Sequence, residues 1–198
     1  MRTTLGGAVL MLAVASTTTA CGGSGTDANP SPSPTSSSAP TSSAPADSRE
    51  QATANAEAMI KKYFQVTDQI GQDKSVPVAR LASVAISSEL STEKHWFQKW
   101  RSSGWTQTGD TKVTKMQVGQ VSLGNSDPSQ GKVPTVTIDV CVDASGTTVH
   151  DRKGKQVGHP IALSTTRYIV ANYQYTQDPA GGWRVASSQD EADSKCRL

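Results

Sequence analysis

The sequence predicts an α+β domain whose helices pack on one face of a curved antiparallel sheet. Two observations predict it. Apolar residues recur at helical spacing up to Gly104 and alternate with period two from Lys112 onward. Turn residues then separate the alternating segments, as at Asp143–Gly146 and Asp178–Gly182. Helices first and strands afterwards is the order of an α+β fold, in which the helices gather on one side of the sheet.

The chain opens with Arg2, an apolar run Leu5–Ala15 and a small-residue stretch ending Thr18-Thr19-Ala20. A charged start, a short apolar core and small residues define a secretory signal over residues 1–20. The run is too short to span a hydrocarbon layer, which needs ~20 helical residues. Cys21-Gly22-Gly23 follows and resembles a bacterial lipobox, with Thr18 in the place where that pattern usually has Leu. The resemblance implies a lipid thioether on Cys21 and attachment to the cell membrane; the alternative is cleavage near Ala20 and secretion. Residues 22–48 contain only Gly, Ser, Thr, Ala, Pro, Asp and Asn, which cannot build a core. We expect residues 21–48 to form a disordered tether spanning on the order of 30 Å. The tether accounts for much of a hydrophobic fraction of only 35%. A net charge of +2 gives no electrostatic case for nucleic acid.

Residues 49–198 are long enough for a single core. Asp47 with Glu50 and Ser48 with Gln51 form two overlapping capping boxes at the start of a helix. Its stripe runs Ala56, Met59, Ile60, Tyr63, Thr67, Ile70, with Gly71 as the stop. Ser75 and Pro77 open a short second helix through Leu81, Val84 and Ala85. Ser91 or Thr92 opens a third, with Trp96 and Trp100 one turn apart, Gly104 at its end and Trp105 next. Lys112–Leu123 is the first strand, and its alternation slips near Gly119-Gln120, the mark of a bulge. Val136, Ile138, Val140 and Val142 alternate with Thr137, Asp139, Cys141 and Asp143. Thr148–His150 and Lys155–Val157 flank Arg152-Lys-Gly154 as a small hairpin. Ile161–Thr176 is a long strand, and Trp183–Ser188 closes the sheet.

Three helices followed by a bent antiparallel sheet look like the NTF2-like cone. The details resemble small exported lipoproteins of high-GC Gram-positive bacteria. The residues that carry this are the lipobox and Ser/Pro stalk, Trp96-x-x-x-Trp100-Arg101-x-x-Gly104-Trp105, Cys141-Val-Asp143, Asp151-Arg-Lys-Gly154-Lys155 and Gly182-Trp183-Arg184-Val185. The resemblance implies a fold and an envelope location and transfers no catalytic residues.

With Cys21 taken by lipid, Cys141 and Cys196 remain, and two thiols in an exported domain should be oxidised together. Asp139 and Asp143 share a side of their strand with Cys141, and Arg167 and Tyr168 lie on the next long strand. In NTF2-like enzymes an acid inside the cone serves as general base, so Asp139, Arg167, Tyr168, Trp96 and Trp100 are the candidate pocket residues. The plainer reading leaves Asp139 facing solvent or paired with Arg167 and gives Asp143 a turn role. Trp96, Trp100 and Trp105 are core residues or the wall of an apolar pocket. His95, His150 and His159 lack the spacing of metal ligands, and we expect no metal or cofactor. Lys61-Lys62 and Lys153–Lys155 are short charged groups on solvated surface. With no converging acid, base and nucleophile, the sequence points to a non-catalytic binding or accessory domain of the cell envelope, taking another envelope or secretion component or a surface ligand. The alternative is a small-molecule carrier or enzyme using the cone interior.

Overall fold

The computed structural model describes residues 48–124, 127, 132–158, 163–173, 182–190 and 196. The signal segment, Cys21, Asp47, His159, the Asp178–Gly181 turn and the outer ends of the predicted Ile161–Thr176 strand lie outside the described residues.

Helix α1 (Arg49–Gln72) starts where the Ser48–Gln51 box places it, with the Gln51 amide donating to Ser48 Oγ at 3.1 Å. Its core stripe is Ala52, Ala56, Ile60, Tyr63, Val66 and Ile70. Gly71 is not the stop. The helix runs to Gln72, and a side chain at position 71 would meet Gln107 Oε1 at 2.9 Å, so the glycine makes room for a neighbour. The second predicted helix is a short 3-10 helix, Val78–Ser83, that drops Leu81 into the core.

Helix α2 (Ser87–Ser103) begins about one turn before the predicted Ser91 or Thr92. The extra turn carries Glu89, an acid that helical patterning assigns to solvent yet which is 4% exposed. The end is as predicted: Gly104 sits in the left-handed region at φ 74°, and its amide closes onto Arg101 O and Trp100 O.

Strands β1 (Thr106–Thr108), β2 (Lys112–Ser122), β3 (Thr135–Asp143), β4 (Thr148–His150), β5 (Ser164–Asn172) and β6 (Trp183–Asp190) form two sheets. The larger is antiparallel and open, in the order β2-β3-β5-β6; the smaller pairs β1 with β4. β1 is too short for periodicity to reveal, and it takes the edge of β4 that the predicted Lys155–Val157 strand leaves. That segment makes only the bridge His150–Gln156 beside β4. The expected slip near Gly119 is present as a register shift between Val118 and Val121, and a second lies between Val113 and Lys115. Val84–Ile86 lines the free edge of β6, exchanging backbone bonds with Val185 at 2.8 and 2.9 Å.

The core lies between the helices and one sheet face. Ile60, Tyr63, Val66 and Ile70 of α1 and Phe97 of α2 meet Val136, Ile138, Val140, Tyr168, Val170 and Val185. Strand alternation then sends Thr137, Asp139 and Cys141 to the opposite face. Helices on one side of an antiparallel sheet make this an α+β fold, as expected.

Candidate functional site

The three tryptophans predicted as core or pocket wall are both. Trp96 and Trp100 stand one turn apart on α2, and the reversal at Gly104 swings Trp105 back against them. Trp100 meets Trp96 at 6.2 Å and Trp105 at 5.6 Å between ring centroids, both edge-to-face. Trp100 is buried, whereas Trp96 is 44% exposed with Lys99 Nζ 5.9 Å from its ring. Together they form one wall of a cavity of about 600 Å³. Gln107 of β1, Thr111, Ala144, Thr147, Val149 of β4, Val157 and Gly158 complete it. None of these lining side chains ionises near neutral pH. Gln107 donates to Asp68, Thr111 to Asp68, and Thr147 to Ala144 O, whereas the buried Trp100 Nε1 has no hydrogen-bond partner among the described residues.

The other candidate residues do not join this cavity. Asp139 and Arg167 are directly opposite one another on β3 and β5, and form a two-pronged ion pair of 2.7 and 3.0 Å. That pair lies on the sheet face away from the helices, so neither residue enters a helix-side pocket. Tyr168, one residue on, points the other way into the core. The Ser145 side chain, and then the Ser145 amide that donates to it at 2.8 Å, hold the Asp143 carboxyl below the usual range, the signature of a turn aspartate. Cys141 and Cys196 form a disulfide with Cα atoms 5.1 Å apart. Among the described residues no group of three or more His, Cys, Asp or Glu could hold a metal ion.

Two arrangements escaped the sequence reading. Asp68, near the C-terminal end of α1, is buried and accepts from Gln107, the Thr111 amide and the Thr111 hydroxyl at 2.7–2.8 Å. Burial raises its carboxyl, and those donors pull it partly back. A polar cavity of about 480 Å³ opens beside it, lined by Lys61, Gln65, Gln69, Gln72 and Asp110. The second is an acid–tyrosine cluster between α1, α2 and the sheet. Tyr63 donates to Glu89 Oε1 at 2.5 Å, and the rings of Tyr63, Phe64 and Tyr168 meet edge-on at 5.4–6.0 Å. Glu93 lies one turn beyond Glu89; burial, then the Glu89 charge, push it up to about 7. Burial likewise raises Tyr63 and Tyr168. The only sequence signal was two glutamates four apart on the Phe97–Trp100 face.

Two of the three motif arginines, Arg101 and Arg152, prove to be helix caps. Arg101 reaches the end of α1, with Nη2 donating to Ile70 O, Asp73 O and Val76 O at 2.8–3.1 Å and Nη1 to Lys74 O. Arg152 does the same for α2, donating to Ser102 O at 2.8 Å and lying so close over Gly104 that a side chain there would collide with it. Asp151 fixes the Arg152 turn by accepting the Lys153 and Lys155 amides.

No family model matches the chain. No curated protein matches it either. Among solved structures it is similar to the intermembrane space region of chloroplast protein ARC6, at 16% identity and a TM-score of 0.50. The similarity covers 72% of this chain and 97% of that one. It supports helices packed on an antiparallel sheet and speaks to fold alone. No helix among the described residues is long and apolar enough to cross a membrane.

Proposed function

We propose that this is a lipid-anchored extracytoplasmic domain, NTF2-like in its helix-lined curved sheet, that binds without catalysing. The carrying observation is the tryptophan-walled cavity: about 600 Å³, apolar, and lined by no group able to move a proton. A general acid or base must reach its substrate by hydrogen bond, and the cavity offers none. What it offers is aromatic surface for an uncharged aromatic or aliphatic group, such as an exposed side chain of an envelope protein. The alternative, a small-molecule carrier, draws on the cavity volume, which falls within the ~300–1,000 Å³ of ligand pockets.

The tether supports the location. Lipid on Cys21 together with a stalk on the order of 30 Å would hold the cavity close to the membrane surface and raise its effective concentration there. In cells making the full chain, Cys21→Ala is expected to move the protein from the membrane fraction to the medium or a soluble fraction. Unchanged fractionation and no palmitate label on the wild-type chain would remove the anchor from the proposal.

Binding is tested separately. Photo-crosslinking from position 157, in the cavity lining, should trap a specific envelope protein, and Trp105→Ala should lower the yield about ten-fold while leaving the fold intact. Quenching of tryptophan emission by apolar small molecules, with no protein crosslinked, would favour the carrier. Turnover of any substrate that survives Trp105→Ala would overturn both.

A further inference from the structure

The face of α2 that carries Phe97 and Trp100 into the core also carries Glu89 and Glu93, one turn apart. Glu89 is 4% exposed, and the equally buried Tyr63 of α1 donates to it at 2.5 Å. Tyr168 of β5 packs against Tyr63 from the sheet. Asp190 of β6, which accepts the Thr166 hydroxyl at 2.9 Å, is close enough for its charge to act on Tyr168. The groups that face the pair from α1 and β5 are thus two neutral phenols, with Asp190 of β6 acting on Tyr168, while Arg80 of the 3-10 helix packed on α2 is exposed. On α2 itself, Lys94 and His95 lie on the exposed side. Two charged carboxylates one helical turn apart repel, and burial sharpens that repulsion.

We propose that Glu89 and Glu93 act as a proton-dependent latch on α2: with a proton on the pair the helix is held against α1 and the sheet, and loss of that proton loosens it. Burial and the Glu89 charge raise Glu93 to about 7 from its ordinary 4.5. A carboxyl whose folded-state value is raised binds its proton more tightly in the native state. Its stabilising contribution is therefore complete below about 4.5 and is lost as pH rises through about 7. The latch is independent of the binding reading, since nothing need occupy the cavity for it to operate.

Hydrogen exchange of the full chain, read by mass spectrometry at pH 5.5 and 8.5 and normalised to intrinsic rates, tests it. Amides of α2 from Leu90 to Ser103 should open roughly ten-fold or more readily at the higher pH, while those of β3 hold. Glu93→Gln should abolish that difference and keep α2 closed at pH 8.5. Glu89→Gln retains an acceptor for Tyr63 and removes only the second cause, so it should shrink the difference without abolishing it, which preserves the test should the first variant not fold. Wild-type exchange in α2 without pH dependence would overturn the latch. So would a dependence that persists in Glu93→Gln or disappears in His95→Asn.

Discussion

Removing the Cys141–Cys196 bridge as C141A/C196A is expected to lower the unfolding free energy by about 4 kcal/mol. The cystines lie 55 residues apart, and closing a loop of that length restricts the unfolded chain by about that amount in the chain-entropy account. For a domain of this size the melting midpoint should fall by about 10 °C. Cys141 is also buried at 3% exposure and receives the Thr114 hydroxyl on its sulfur, so part of the loss is local packing. The single variant C196A separates the two contributions: it opens the bridge and leaves Cys141 in place, and should retain most of the loss. A double variant within about 1 kcal/mol of wild type would show that the bridge does not constrain the chain.

The second large effect is at Arg101. The last carbonyls of any α-helix lack intrahelical partners. At the end of α1, Ile70 O, and beyond it Asp73 O, Lys74 O and Val76 O, converge on one guanidinium. A charged donor near a helix C-terminus also meets the negative end of the macrodipole. Arg101→Ala withdraws all four bonds and leaves partly buried carbonyls unmatched, at a cost of about 3 kcal/mol in urea denaturation. Arg101→Lys retains the charge without the planar fork and should recover less than half of that. Protease cleavage between Asp73 and Val76 should accelerate in parallel. A loss below about 1 kcal/mol would mean that the carbonyls find water or other donors.

Much of the fold was legible because periodicity reports burial directly. The Ser48 cap, the Gly104 terminus, the β2 bulge and the alternation of Val136 to Val142 each follow from local chemistry, and each holds. The errors arose where a residue answers to a distant neighbour. Gly71 resembles a stop but is a gap for Gln107. The start of α2 was hidden because Ser87, Ser88 and Glu89 read as solvent-facing, while Tyr63, 26 residues earlier, gives Glu89 its buried partner. The candidate site divided the same way. The Trp96–Trp100 spacing revealed a shared wall, and the Asp139–Arg167 pairing was anticipated. Placing the latter pair on the far side of the sheet required register, which only the folded strands supply.

The two arginine caps impose an order of assembly. Helix α1 is completed by a residue of α2, and α2 by a residue beyond β4, a separation of 50 positions. A chain released N-terminal end first therefore closes α1 as soon as Arg101 of α2 is available, but delivers α2 with its end still open. That end gains its donor only once Arg152 has emerged, and Cys196 comes later still. The closing of α2 thus depends on chain that follows it by 50 positions, and a chain cut before Arg152 leaves the Ser102 carbonyl without that donor.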